Sequence, residues 1–377
     1  MPVVIARYYD THQWHGLFLL FCKLSQKRSC LKTNISREDA KITKIIRLII
    51  NTQCTLWLVG IQNYQSPALK PLSFIIITYN RPDDALELLQ NIAGLDDAAG
   101  LLQEIILVNN RSSVSYAAVQ DYITSKPGLP FKYIEAPDNL GVAKGRNFAL
   151  RFATAPIVIL LDDDAVLQNK DALNQTLLAF NSQPPGNPDI QRPTAIVSFK
   201  VLYYDTLEMQ KNALPHKKYN KYRGKHSFYT YYYAGGAHAI KREVLEQIGY
   251  YPEDFFYGME EYDLGYRLIE KGYSIQYNDS IVMLHKESPL GRKPASEKLR
   301  MMWVNKSKVA WRYLPKIYFY STALLWSFQF LRVTRFNLKH YFQGWKAISG
   351  IPRSEQRKKI SKDSIAYLRK VEARLYY

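Results

Sequence analysis

The chain has 377 residues, 47% of them hydrophobic, which is enough for a sizeable core and excludes a largely disordered protein. Its net charge of +18 is unevenly spread: residues 1–70 carry 10 Lys/Arg against 3 Asp/Glu, residues 71–290 carry 21 against 26, and residues 291–377 carry 20 against 4. An acidic middle between basic flanks is not the pattern of a nucleic-acid binder, so no nucleic-acid partner is expected; basic segments rich in Trp, Tyr and Phe suit an anionic membrane surface or a solvated helical tail.

The first 70 residues hold all three cysteines, Cys22, Cys30 and Cys54, with no C-x-x-C pair, so neither a disulfide framework nor a cysteine zinc site is expected and a reducing compartment fits. The apolar run 16–22 follows acidic Asp10 and leads to no clean small-residue cleavage site, which argues against a signal peptide. Residues 1–70 otherwise show apolar runs without caps, and no role is legible there. Pro67 and Pro71 punctuate the chain before the next block.

From Pro71 the rhythm changes. Phe74-Ile75-Ile76-Ile77 is a short β-branched run, the mark of a buried parallel strand. Pro82, Asp83 and Asp84 suit the first turn of a helix running through Leu86, Leu89 and Ile92. A second strand, 104–108, ends in Asn109-Asn110; a helix over 116–124, a third strand over 131–134 and a helix beginning near Gly141 follow. Ile157-Val158-Ile159-Leu160-Leu161 is a fourth strand, closed by Asp162-Asp163-Asp164. Strands alternating with helices at this spacing predict an α/β open sheet flanked by helices, whose ligands bind at the carboxyl ends of the strands; Thr78, Asn109 and Asp162 all fall there. Residues 181–232 are less regular. Gly235-Gly236 precedes a helix over 242–248, Glu260-Glu261-Tyr262-Asp263 opens another that ends at Gly272, and 274–277 and 281–284 read as strands. The longest uncharged apolar stretch, 317–331, is short of the roughly 20 residues a spanning helix needs, and suits an interfacial or core helix.

Three adjacent carboxylates at a strand end repel one another unless a cation or solvent compensates. Asp162 and Asp164, two apart, can share a hard cation such as Mg²⁺ or Mn²⁺; a solvated turn with Asp164 as a helix cap is the plainer alternative. Glu260 and Glu261 either complement a helix dipole or supply a general base for a hydroxyl. His285 is a structural residue or, beside the acidic triplet, a metal ligand. Gly141, Lys144, Gly145, Arg146 and Asn147 form a helix start whose small and basic residues can meet phosphates.

In this order the segments Ile77-Thr78-Tyr79-Asn80-Arg81, Glu104-Ile105-Ile106-Leu107-Val108-Asn109-Asn110, Asn139-Leu140-Gly141-Val142-Ala143-Lys144-Gly145-Arg146-Asn147, Leu161-Asp162-Asp163-Asp164, Gly235-Gly236-Ala237 and Glu260-Glu261-Tyr262-Asp263-Leu264-Gly265-Tyr266-Arg267 resemble glycosyltransferase family 2, the inverting enzymes of GT-A fold. The resemblance covers roughly 72–315, and the tail from Trp303 is similar to those of bacterial rhamnosyltransferases. It implies a GT-A type nucleotide-binding open mixed sheet over 71–290, with a helical basic region over 291–377. It also implies a sugar, hexosyl or deoxyhexosyl, moving from a nucleotide-diphosphate donor to a glycan or lipid-linked acceptor. The setting would be cell-surface polysaccharide synthesis in the cytoplasm, peripheral on the inner face of the membrane. In that reading Thr78, Tyr79, Asn80, Arg81, Asn109, Asn139, Gly141, Arg146, Asn147, Asp162 and Asp163 bind the nucleotide sugar. Asp164 and His285 hold the metal, Gly235, Gly236 and Asp263 lie on the acceptor side, and Glu261, beside Glu260, is the catalytic base. One departure is Asn109, where the family usually has an Asp for the base. A nucleotidyltransferase or a non-catalytic nucleotide-sugar-binding protein of the same fold is the alternative.

Overall fold

The structure, a computed structural model, describes residues 69–376 apart from 185–189, 191, 288–289 and 291–294. The expectations for residues 1–68 lie outside the described residues. Residues 69–377 form one compact unit.

The N-terminal half runs β1 (Leu72–Thr78), α1 (Pro82–Ala93), α2 (Ala98–Leu101), β2 (Leu102–Asn109), α3 (Ala117–Thr124), β3 (Phe131–Glu135), α4 (Gly141–Leu150), β4 (Ile157–Asp162), β5 (Ala165–Leu167) and α5 (Ala172–Asn181). Then come β6 (Thr194–Tyr203), α6 (Tyr219–Tyr222), β7 (Ser227–Thr230), β8 (Ala237–Lys241), α7 (Arg242–Ile248), α8 (Glu260–Glu270) and β9 (Ser274–His285). Four helices close the chain: α9 (Ala295–Tyr313), α10 (Lys316–Val333), α11 (Leu338–Ser354) and α12 (Lys362–Lys370). The sheet order is β3-β2-β1-β4-β8-β6-β9-β5, with β7 also on β9. The strands β3, β2, β1 and β4 are mutually parallel, and β8 is antiparallel to β4 and β6, so the sheet is mixed and open as expected.

The apolar runs explain why this sheet is covered on both faces. Along β1, Phe74 and Ile76 join one core and Ile75 the other; in β2 the same split separates Ile105 and Leu107 from Ile106 and Val108. Period-two alternation with apolar residues on both sides is what a two-sided sheet requires. Register then aligns the functional ends: Thr78 pairs with Asn109, and Ile77 with Asp162. The strands expected at 274–277 and 281–284 are one strand, β9, carrying a register shift where it pairs with β6.

The C-terminal helices share the core of the sheet. Trp303, Trp311, Phe319, Trp326 and Phe330 belong to the same apolar cluster as Ile75, Val158 and Leu264. Trp303 is fully buried and donates Nε1–H to the Ala323 carbonyl at 3.0 Å. A polar tie reinforces this packing. Asp263, expected on the acceptor side, instead faces α9: its carboxylate accepts from Arg267 Nε at 2.9 Å, Arg312 NH1 at 3.0 Å and Tyr313 Oη at 3.0 Å. Arg312 also holds Asp254 and Glu355, so one guanidinium joins α8, the loop before it and the end of α11. The boundary expected at 290 therefore does not divide the structure into separate units.

Asp263 is 2% exposed and all its partners are cationic or hydroxyl donors. Removing it takes one carboxylate from two guanidinium groups that keep other partners, Asp254 and Glu355 for Arg312 and the carbonyls of Ile248, Gly249 and Tyr250 for Arg267; losing a hydrogen bond to a charged group typically costs about 1.5–3 kcal/mol. Asp263→Ala is expected to lower unfolding free energy by about that amount in urea titration; a loss below about 1 kcal/mol would mean the tie is not what docks the helices.

Candidate active site

Two cavities open side by side along the carboxyl ends of the parallel strands. The first, about 830 Å³, is lined by Tyr79, Arg81, Asn110, Asn139, Gly141, Arg146, Asp162, Asp163, Asp164, Phe256, His285 and Lys298, among others. The second, about 690 Å³, is lined by Gly235, Gly236, Glu260, Glu261, Tyr232, Tyr233, Lys217, Lys306, Trp326 and Arg374, among others. Val142, Arg146, Asp162, Tyr257 and His285 border both.

The acidic triplet sits where β4 ends. Asp163 and Asp164 are 5% and 1% exposed, and Arg81 meets both, NH1 lying 2.7 Å from Asp163 and 3.2 Å from Asp164. Burial pushes the Asp163 carboxyl up to about 6 against the pull of Arg81. The Arg81 backbone N–H donates to the Tyr116 hydroxyl, which also meets Thr78 Oγ1 at 2.7 Å. Asn80 takes a left-handed backbone (φ 58°), and its side-chain oxygen accepts from the Ser113 N–H.

His285, at the end of β9, completes a possible cation site. One ligand atom each from Asp162, Asp164 and His285 lies within 4.8 Å of the others. His285 Nδ1 faces Gln210 Oε1 at 3.0 Å, and the Gln210 amide nitrogen donates to Glu287 at 2.5 Å. With the amide oriented by Glu287, Nδ1 carries the imidazole proton. In the neutral ring Nε2 then presents its lone pair toward Asp164 Oδ1, 3.2 Å away. Two electron-rich atoms so placed suit a shared cation, and the oxygen and imidazole donors suit Mg²⁺ or Mn²⁺.

The second cavity is shaped by α8 and the glycine pair. Met259, in a left-handed conformation (φ 73°), turns the chain into α8 and leaves Glu260 and Glu261 in its first turn. Glu260 is 2% exposed and pairs with Arg146 NH1 at 3.0 Å. Glu261 opens to the cavity, and burial together with the Glu260 charge pushes it up to about 8. A Cβ on Gly235 would fall 2.2 Å from Glu261 Oε1, and one on Gly236 would fall 2.0 Å from Asp162 Oδ2. Each glycine therefore makes room for one carboxylate. Gly141 (φ 70°) does the same for the backbone of Phe256.

Some expected residues stand elsewhere. Asn109 is 4% exposed and its amide is committed to Tyr133, Glu135 and the Ser112 N–H; its neighbour Asn110 lines the first cavity instead. Asn147 holds the backbone of Tyr251 in both directions and lines neither cavity. Asn80 and Thr78 brace the loop from behind. Gln210, Glu287, Lys217 and Lys306 were not singled out from the sequence, because none belongs to a local motif and each meets its partner at the site only in the folded chain.

Residues 73–249 match the family model described as Glycosyl transferase family 2. An uncharacterized protein of Haemophilus influenzae is 26% identical over 182 residues, covering 48% of this chain and 92% of that protein. The low-salt glycan biosynthesis hexosyltransferase Agl10 of Haloferax volcanii is 22% identical over 246 residues, covering 59% of this chain and 69% of that one. Among solved structures, GalNAc-T7 with UDP, GalNAc and Mn²⁺ superposes with a TM-score of 0.55 at 16% identity, over 82% of this chain and 59% of that one. A mannosyltransferase of Pyrobaculum calidifontis in complex with GDP-Man and Mn²⁺ gives 0.49 at 20% identity, over 86% of each chain. The fold is GT-A, with a helical C-terminal region added.

Because Gln210 fixes the protonated nitrogen of His285, Gln210→Leu is expected to weaken Mn²⁺ binding roughly 10–100-fold while the protein remains folded. Unchanged Mn²⁺ affinity by calorimetry would remove Gln210 from the metal site.

Proposed function

We propose that this chain, which carries a family 2 glycosyl transferase domain, moves a hexosyl or deoxyhexosyl group from a nucleoside diphosphate donor to a hydroxyl of a glycan or lipid-linked acceptor. The anomeric carbon is inverted in the transfer. The observation that carries this reading is the meeting of two cavities at Asp162, Arg146 and His285, with an acidic, cation-ready side and a general-base side.

The donor occupies the larger cavity. Asp164 and His285, with Asp162, would hold Mg²⁺ or Mn²⁺, which as a Lewis acid makes the diphosphate a better leaving group. Tyr79, Arg81, Asn139 and Gly141 line the space for base, ribose and diphosphate. The acceptor enters the second cavity. Glu261 accepts the proton of its hydroxyl as that oxygen attacks the anomeric carbon from the side away from the leaving group. Glu260, paired with Arg146, stays a positioning residue, and the charge it retains keeps the Glu261 proton affinity high.

A base must be deprotonated, so kcat/KM is expected to rise about tenfold per pH unit up to a limb near 8, then level off. Glu261→Gln should keep nucleoside diphosphate binding in the presence of Mn²⁺, titrated with UDP, dTDP and GDP, yet lose transfer by about 10²–10⁴-fold. A flat profile from pH 6 to 9 would dismiss Glu261 as the base, and failure of all three nucleotides to bind would overturn the donor assignment.

The setting we propose is the inner face of the cell membrane, in the synthesis of surface polysaccharide. Among the described residues no helix is long and apolar enough to cross a membrane. What supports attachment is one face of α10, where Ile317, Tyr320, Leu324 and Phe328 recur at helical spacing and are 50–67% exposed. Exposed Lys316, Arg332, Arg335 and Lys339 flank that row, and residues 298–354 contain no Asp or Glu. Apolar residues rimmed by cations suit an anionic bilayer surface. The protein should sediment with vesicles containing phosphatidylserine but not with phosphatidylcholine alone or with duplex DNA, and Leu324→Asp with Phe328→Asp should abolish it. Equal recovery with both lipids and with DNA would leave only nonspecific charge.

A further inference from the structure

The acceptor cavity gathers cations on the side where the acceptor would lie. Lys217, Lys306 and Arg374 all line it. Lys306, on α9, is 7% exposed and has no hydrogen bond or ion pair with any described residue. Its Nζ lies 2.9 Å from the centre of the Tyr262 ring. Tyr262 stacks on Tyr232 with ring centres 4.7 Å apart and planes 13° from parallel, and Lys217 Nζ is 5.5 Å from the centre of Tyr232. Two ammonium groups thus attend one pair of stacked rings.

A ring face stabilises an ammonium only in part, and an ammonium nine-tenths removed from water calls for an anion. The cations also disfavour one another. Burial first, then Lys217 and Arg374, hold the Lys306 ammonium well below its usual range, while Glu261 pulls the other way. An amine serving only Glu261 would stand within ion-pair distance of it, as Arg146 does of Glu260 at 3.0 Å; Lys306 does not. Among the described residues, no carboxylate stands within ion-pair distance of the Lys306 or Lys217 ammonium, though both line the cavity.

We propose that Lys306 and Lys217, with Arg374 beside them, form a subsite for an anionic group, phosphate or carboxylate, carried by the acceptor close to its reacting hydroxyl. This rests on the glycosyl-transfer reading, which assigns the cavity to the acceptor. The acceptor class is then a phosphorylated or acidic sugar or polyol rather than a neutral glycan. The anion meets the ammonium groups held beside the Tyr232–Tyr262 pair while the hydroxyl faces Glu261.

The test uses the full chain with its donor site filled by the nucleoside diphosphate that binds best and Mg²⁺, so that anions cannot enter there. Ligand-observed NMR is recorded with glycerol 3-phosphate, glucuronate and glycerol. At least one of the two anions should bind and glycerol should not; which anion binds tells phosphate from carboxylate. Lys306→Met and Lys217→Met should each weaken that binding about tenfold or more, as loss of a charge-assisted hydrogen bond does, while Lys306→Arg retains most of it and nucleotide affinity stays unchanged. Binding of neither anion, or anion binding unchanged in both Met variants, overturns the subsite. The wild-type comparison decides the matter even if a variant fails to fold. Absence of nucleotide binding is a separate result that strikes at the donor assignment, and the anion titration is then read on the unliganded chain.

Discussion

Arg146 lies between the two cavities with Glu260 Oε1 at 3.0 Å from its NH1 and Asp162 Oδ1 at 3.6 Å from its NH2, and Glu261 is one residue further along α8. Burial by itself would lower its proton affinity, but Glu260 leads a set of neighbouring charges that raise it well above the ordinary guanidinium range. Three carboxylates from β4 and α8 converge here, and such a cluster persists in a folded protein only where a fixed cation offsets it. The offset is incomplete: Glu260 Oε2 is buried without a hydrogen-bond partner among the described residues, so the negative field that burdens Glu261 remains. The same guanidinium that makes the site foldable also sets how basic its partly open carboxylate is.

Around that charge centre, the elements are held by contacts that look structural and act on chemistry. Asp263, three residues after Glu260 on α8, is clamped by Arg267, Arg312 and Tyr313, which fixes the rotation of the helix bearing both glutamates. Asn147, one residue after Arg146, grips the backbone of Tyr251 and so anchors the segment leading to Phe256 and Met259. Neither side chain lines a cavity, yet each fixes the orientation of a neighbour that does. The C-terminal region also contributes directly, since Lys306 on α9, Trp326 on α10 and Arg374 after α12 form part of the wall of the second cavity.

Much of the framework was legible in the sequence because its signals are local. The β-branched runs of β1, β2 and β4 declare buried parallel strands, and Pro82 with Asp83 and Asp84 marks the start of α1. The Asp triplet, the glycine pair and Glu260-Glu261 stand out because clustered carboxylates and adjacent glycines are costly unless something requires them. Direction was not legible. Asn109 and Asn110 are equivalent on paper, but alternation along the chain sends one toward Tyr133 and Glu135 and lets the other reach the first cavity. Asp263 sits in the same run as Glu261 and lands on the opposite side of α8. Gln210, Glu287 and Lys306 gain meaning only when β6, β9 and α9 are assembled, and an isolated Lys in a basic tail reads as solvated.

The helix α10 has two faces with different destinations. Trp326 and Gln329 turn inward and help line the second cavity, while Leu324 and Phe328 turn outward. Only the thickness of one helix, about 10 Å, separates the second cavity from whatever the outer face rests on. An acceptor tethered to that surface would be confined to a thin layer beside the cavity mouth, and its local concentration would be set by surface density rather than by bulk solution. Turnover would then be governed by how the substrate is spread in two dimensions, and a soluble analogue of equal intrinsic affinity would be a much poorer substrate for reasons unconnected with the active-site residues.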